Sequence, residues 1–156
     1  MSKGKPARGR VPEDPLRLDR QVCFPLYAAS NLLNRMYRPV LDAIGLTYPQ
    51  YLVMLALWED SPQSVGVLGG KLYLDSGTLT PLLKRMESAG LISRQRDAQD
   101  ERRVLVELTA AGRALREAAQ RVPETLAAGL DLSPDAIDLL RGTVQDLVRL
   151  LAARNA

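Results

Sequence analysis

Cys23 is the one thiol in a chain of 156 residues that contains no histidine. Six of the seven aromatic residues fall between positions 24 and 58: Phe24, Tyr27, Tyr37, Tyr48, Tyr51 and Trp58. A thiol at the edge of such a cluster can be oxidised. Its thiolate can be held by a helix N-terminus or by tyrosine hydroxyls, and the rings can form an apolar pocket for a lipid-like substrate. On the residues alone a plainer pattern also fits: a small core cysteine beside tyrosines packed between helices. The missing histidines exclude Ser-His and Cys-His catalysis, zincin sites and histidine pH switches. A single cysteine excludes an intrachain disulfide and multi-cysteine zinc or iron–sulfur sites, so no metal or other cofactor is expected.

A second group of residues has a different chemistry. Residues 84–103 include Lys84, Arg85, Arg94, Arg96, Arg102 and Arg103. Just before them, a helix over 76–89 has the apolar stripe Leu79, Leu82, Leu83 and Met86. Its remaining surface carries Gly77, Thr80, Pro81, Lys84, Arg85 and Ser88, which taken alone also fits an ordinary solvated face. Small and hydroxyl residues can approach base edges and phosphates closely, and the cations a turn later reach phosphates or guanine. An arginine on a hairpin, such as Arg102 held by Asp100, can enter a narrow minor groove. Net charge does not carry this argument. The formal +3 belongs to residues 1–20, while residues 21–156 are neutral.

These residues need elements to position them. Helical spacing of Leu26, Leu32, Leu33, Met36, Val40 and Leu41 predicts a helix over about 19–43, with Asp19 as its cap. Pro25 requires that helix either to begin near Cys23 or to bend, and Pro39 should bend or divide it. Thr47-Tyr48-Pro49-Gln50 is a capping box with proline in the first turn. Ser64 caps a short helix to Leu72, and Asp75 or Ser76 caps the next. After Gly90 the period shortens to that of strands, giving Leu91–Arg96 and Arg103–Leu108 around a charged tip. Thr109 opens a helix to about Gly129 that Pro123 should bend, and Ser133-Pro134 opens the last one. The fold class is mainly α with a small β-hairpin wing: a winged helix-turn-helix over about 47–108, flanked by dimerisation helices over about 19–43 and 109–155. Residues 1–15 read as a disordered basic arm before a single domain over 16–156. No targeting or membrane segment is evident, so a cytoplasmic protein is expected.

Asp100-Glu101-Arg102-Arg103, followed by Val104-Leu105-Val106 and Leu108-Thr109, resembles the wing of MarR-family transcriptional regulators. Leu18–Phe24, Thr47–Tyr51 and the run Leu72–Glu87 are similar to the organic-hydroperoxide-sensing, OhrR-like branch of that family. The similarity covers roughly residues 16–125. The resemblance implies a homodimeric repressor that binds a pseudo-palindromic double-stranded DNA operator. It implies that Cys23 is the peroxide sensor, hydrogen-bonded by Tyr37 and Tyr48 from the partner subunit, with Tyr27 and Phe24 in the pocket. It places Ser76, Gly77, Thr80, Lys84, Arg85, Arg94, Arg96, Asp100 and Arg102 at DNA. Some relatives carry a second, resolving cysteine. This chain has none, so oxidised Cys23 must be capped by a low-molecular-weight thiol or be overoxidised. The competing expectations are a regulator of a small aromatic ligand with a structural cysteine, a one-cysteine thiol peroxidase, and a structural interaction module. The peroxidase lacks a histidine and a resolving thiol, and the interaction module leaves the basic wing unexplained.

Overall fold

A computed structural model describes residues 14–155; the expected arm lies outside them except for its last two residues. The chain divides into two compact units, Met1–Leu33 and Asn34–Ala156. A helix, α1 (Cys23–Asp42), belongs to both.

In the first unit, Asp19 does not cap α1. A 3-10 turn covers Leu18–Arg20, and the Asp19 carboxylate is held by the Arg17 guanidinium at 2.9 and 2.7 Å. The helix starts at Cys23, which places Pro25 in its first turn, where a missing N–H costs no intrahelical bond. The backbone thus resolves the two options left by Pro25 in favour of a start at Cys23. Pro39 does not divide α1, which continues to Asp42.

The second unit contains α2 (Tyr48–Glu59), β1 (Gln63–Ser64), α3 (Val65–Leu72), α4 (Ser76–Ser88), β2 (Ile92–Arg96), β3 (Val104–Leu108), α5 (Ala110–Ala119), α6 (Glu124–Leu130) and α7 (Pro134–Ala152). The capping box of α2 is complete: Gln50 N–H donates to Thr47 Oγ1, and Thr47 N–H donates to Gln50 Oε1. Ser64, Asp75, Thr109 and Ser133 each cap the helix that follows. Pro123 breaks the expected 109–129 helix completely. It stands at the N-cap of α6, and α5 has already ended at Ala119.

The sheet has three antiparallel strands in the order β1-β3-β2. The hairpin pairs Ile92 with Leu108 and Arg96 with Val104. The two-residue β1 has no hydrophobic period to mark it in sequence. Gln63 and Ser64 pair with Val106 and Leu105 and are buried polar residues. Buried Gln63 ties the end of α2 by donating from Nε2 to the carbonyls of Ala56 and Asp60. One apolar core joins the end of α1, helices α2 to α5 and the sheet, with Leu126 of α6 packed against it. Its fully buried members include Leu41, Met54, Leu57, Leu68, Leu79, Leu83, Met86, Ile92, Val106 and Val122. Burying each such side chain contributes about 1.5–3 kcal/mol relative to exposure.

Two close backbone approaches fix the geometry. A Cβ on Gly69 would lie 2.8 Å from the Leu74 carbonyl oxygen, so glycine lets the α3–α4 turn fold tightly back. Tyr73, in that turn, takes the left-handed conformation at φ 54°. A Cβ on Gly112 would lie 2.1 Å from the Leu91 carbonyl oxygen, where α5 crosses the start of the wing.

Candidate nucleic-acid interface and thiol site

The α3–turn–α4 arrangement sets the exposed face of α4 next to the hairpin. Asp75 fixes the start of α4 by accepting from Thr78 N–H at 2.8 Å and from Thr78 Oγ1 at 3.1 Å. These bonds hold the Asp75 carboxyl below its ordinary pKa, the backbone bond contributing most. Ser76, Gly77, Lys84 and Arg85 are exposed along α4, and Thr80 is half-buried. Leu79, Leu82, Leu83 and Met86 occupy the opposite, buried face, as their spacing requires.

The hairpin is braced by carboxylates that the sequence pattern did not reveal. Glu87 accepts from the Arg94 backbone N–H at 2.9 Å, from Nε at 3.0 Å and from Nη2 at 2.7 Å. The Arg94 hydrogen bonds hold the Glu87 carboxyl below its ordinary value. Arg94 is therefore engaged as a strut between α4 and β2, rather than standing free toward a ligand. Asp97 pairs with Arg103 across the tip at 3.6 Å. Seven residues separate Glu87 from Arg94 across an element boundary, so no helical or strand period flags the pair. Arg96 donates to the Glu101 carbonyl at 3.0 Å and stays exposed. The expected Asp100–Arg102 contact is present: Nε donates to Oδ1 at 3.1 Å, while the Arg102 side chain remains 91% exposed. Arg102 thus projects from the wing with its direction partly set by a neighbour.

Parts of α3, α4 and the wing share one concave surface. A recess of about 370 Å³ is bordered by Ser64 and Gly66 at the start of α3, Thr80 of α4, and Arg94, Arg102 and Arg103 of the wing. A helix start, the Thr80 hydroxyl and the projecting Arg102 guanidinium around one depression suit a sugar-phosphate backbone, while Ser76, Gly77, Lys84 and Arg85 do not border it.

The thiol-site residues occupy both units. In the first unit Cys23 is the first residue of α1 and is exposed. That is the helix end where the backbone dipole favours negative charge. Phe24 is half-exposed and borders, with Leu18 and the stems of Arg17 and Asp19, a mainly apolar recess of about 390 Å³. Tyr27 is 68% exposed. In the second unit Tyr37 and Tyr48 stack with ring centroids 5.3 Å apart, and Tyr51 and Trp58 extend the row at 6.2 and 6.5 Å. Burial pushes the Tyr37 phenol above its ordinary pKa, with neighbouring Tyr48 adding to the effect, and burial alone raises Tyr48. Both hydroxyls are therefore protonated donors at neutral pH, and neither is used in a hydrogen bond among the described residues. The described residues hold no cluster of three metal-ligating side chains, and none of their helices is long and apolar enough to cross a membrane.

A helix-turn-helix followed by a braced basic hairpin defines a winged-helix DNA-binding transcriptional regulator. A family model described as transcriptional regulator SarA/Rot matches residues 35–118. The organic hydroperoxide resistance transcriptional regulator of Bacillus subtilis is 44% identical over 142 residues, which cover 91% of this chain and 97% of that protein. The regulator MgrA of Staphylococcus aureus is 40% identical over 125 residues, covering 80% of this chain and 85% of its own. Among solved structures, AbfR, a Staphylococcus epidermidis protein, is similar both reduced and overoxidized, each bound to DNA. Those two structures share 37% and 36% identity, TM-scores of 0.69, and coverage of 86% of this chain and 94% of theirs. The chain belongs to the MarR family of transcriptional regulators, in its one-cysteine organic-hydroperoxide branch.

Proposed function

We propose that this protein is a homodimeric repressor that binds a pseudo-palindromic operator and releases it when an organic hydroperoxide oxidises Cys23. The observation that carries this reading is the position of Cys23: the one thiol is exposed at the first residue of a helix. A structural cysteine belongs in the core. In the proposed first step the Cys23 thiolate attacks the terminal peroxide oxygen, the O–O bond breaks, and an alcohol leaves. Cys23 becomes a sulfenic acid. The apolar recess beside Phe24 and Leu18 suits a substrate with a hydrocarbon body. Tyr37 and Tyr48, with spare hydroxyl donors, are assigned to hold the thiolate of the other protomer.

Dimerisation is supported by the last helix. Leu139, Leu140, Val144, Leu150 and Leu151 form an apolar row on α7 that is left exposed in one protomer, Leu139 by 74%. At DNA, α4 enters the major groove through Ser76, Gly77, Thr80, Lys84 and Arg85. The wing contributes Arg102, oriented by Asp100, together with Arg96, while Arg94 holds the wing to α4.

The release step is read from chemistry and from the neighbours. AbfR has been solved overoxidized on DNA, and a disulfide-formed AbfR has been solved as well. For this chain we assign release to a disulfide rather than to added oxygens. With one cysteine, the second sulfur comes from a small cellular thiol. The test is an operator titration with cumene hydroperoxide and a small thiol, for wild type and Cys23→Ser. Release by the wild type alone is expected. Release of both proteins, or of neither, overturns the sensor.

A further inference from the structure

The C-terminal half of α1 carries two cations that neither the DNA surface nor the core uses. Arg35 and Arg38 are exposed and form no ion pair among the described residues. Arg94, Arg103 and Arg113 are matched by carboxylates, while Arg85, Arg116 and Arg121, like Arg35 and Arg38, form no ion pair among the described residues. Arg35 and Arg38 border an open recess of about 330 Å³ together with Asn34, Asp42, Thr47 and Tyr48. Asp42 is the one carboxylate on the rim, and it bridges to neither guanidinium. The recess therefore presents two guanidiniums, a phenol, an amide and a hydroxyl against one carboxylate, a net positive site. Planar guanidiniums bind carboxylates through paired N–H donors.

We propose that this recess receives the carboxylate of the small thiol that caps oxidised Cys23. The inference rests on the reading above, in which Tyr48 of one protomer meets Cys23 of the other. The recess then lies beside the sulfur that must be capped, because Tyr48 is part of its wall. In the step itself, the thiolate sulfur of the incoming molecule attacks the Cys23 sulfur of the sulfenic acid. The new S–S bond forms, the S–O bond breaks, and hydroxide leaves to take up a proton as water. The incoming sulfur is oxidised and Cys23 is reduced to the disulfide level. Arg35 and Arg38 act as positioning residues that raise the local concentration of an anionic thiol and orient it.

The experiment oxidises the full-length protein with one equivalent of cumene hydroperoxide. It then follows Cys23 adduct formation by intact mass with 3-mercaptopropionate or with uncharged 2-mercaptoethanol. The quantity read is the ratio of the two rates, for wild type and for the double variant Arg35→Gln/Arg38→Gln. The net single positive charge of Arg35, Arg38 and Asp42, about 6 Å from a hydrated carboxylate, is expected to favour the anionic thiol about threefold. That preference should be lost in the variant, and in wild type at high salt. Both positions are exposed, and operator binding by the reduced variant reports its fold. Equal ratios in wild type and variant overturn the recess and leave the sensor standing. No Cys23 adduct with either thiol overturns both.

Discussion

Gly112→Ala tests the account of how the wing is attached. At residue 112 an added Cβ would meet the Leu91 carbonyl oxygen at 2.1 Å, the Leu91 carbonyl carbon at 3.1 Å and Leu108 Cδ2 at 3.2 Å. Ordinary contact with an oxygen needs about 1 Å more, so either α5 or the Leu91 peptide must move. Either movement disturbs a bonded junction. Thr109 N–H donates to Leu91 O at 3.1 Å, Thr109 Oγ1 donates to Gly90 O at 2.6 Å, and Trp58 Nε1 donates to Gly112 O at 2.9 Å. Losing or stretching two of these costs about 1 kcal/mol each, and overpacking adds about 1–3 kcal/mol. The better helix propensity of alanine returns about 1 kcal/mol. The net loss is about 2–4 kcal/mol, which for a chain of this size lowers Tm by about 5–15 °C. Thermal unfolding at fixed protein concentration checks it, with operator affinity read alongside because the wing starts at this junction. Gly70→Ala is the control: an added Cβ on this exposed α3 residue meets nothing within 4 Å, so a gain of about 0.5–1 kcal/mol is expected. A Gly112→Ala protein that melts within a degree or two of wild type would refute the close approach.

Three further outcomes follow from the same geometry. Arg102→Ala should weaken operator binding about tenfold or more and reduce the salt slope of binding by about one, with unchanged helical content by circular dichroism; unchanged affinity removes the wing from the interface. Glu87 is depressed by Arg94, so its contribution to stability is present above the ordinary glutamate pKa of about 4.3 and is lost as pH falls through the lower, folded value. Glu87→Gln should therefore be less stable than wild type at pH 7 and equal to it near pH 2; a difference that persists in acid contradicts the ion pair as its source. Tyr48→Phe should keep the fold and reduced operator binding, yet slow Cys23 oxidation by about tenfold, the scale of one hydrogen bond to a charged group. Stopped-flow oxidation rates equal to wild type would remove Tyr48 from the thiol site.

What could be read from the sequence depended on how local its cause was. Thr47, Ser64, Thr109 and Ser133 act within three residues of their targets, so the helix starts they cap were legible. Leu79, Leu82, Leu83 and Met86 announced the buried face of α4, and with it the exposed one. Asp19 misled because a nearer partner, Arg17, takes its carboxylate before any helix can use it. Pro123 was legible as a disturbance but not in degree: with α5 ended at Ala119, a bend becomes a break. The strand Gln63–Ser64 was hidden because two polar residues carry no period, and their partners lie more than forty positions away. Glu87 and Asp97 were hidden for another reason: their arginines are near in sequence but lie across an element boundary or a turn, so each pair forms only once the hairpin has folded. The candidate thiol site was legible in its membership alone. Spacing can name Cys23, Tyr37 and Tyr48, but spacing within one chain cannot state which hydroxyl meets which sulfur.

The bracing carboxylates bear on how a signal at Cys23 can act at DNA. The Glu87–Arg94 bonds tie α4 to the hairpin, the Asp97–Arg103 pair closes the hairpin tip, and the Leu79–Met86 stripe ties α4 to the core. A unit held this way responds as one body, so oxidation does not need to unfold the reading head. It needs to change only the spacing of two such heads in the proposed dimer, because operator half-sites tolerate little misplacement. A sulfenic acid adds one oxygen, whereas a capping thiol adds a whole molecule that must be accommodated around the tyrosine row. The larger perturbation is the one able to move a rigid body, which favours the mixed disulfide as the releasing species. In the proposed mechanism the solitary cysteine then has a consequence of its own: the off state would depend on the supply of a second molecule, so the response should scale with thiol concentration as well as with peroxide.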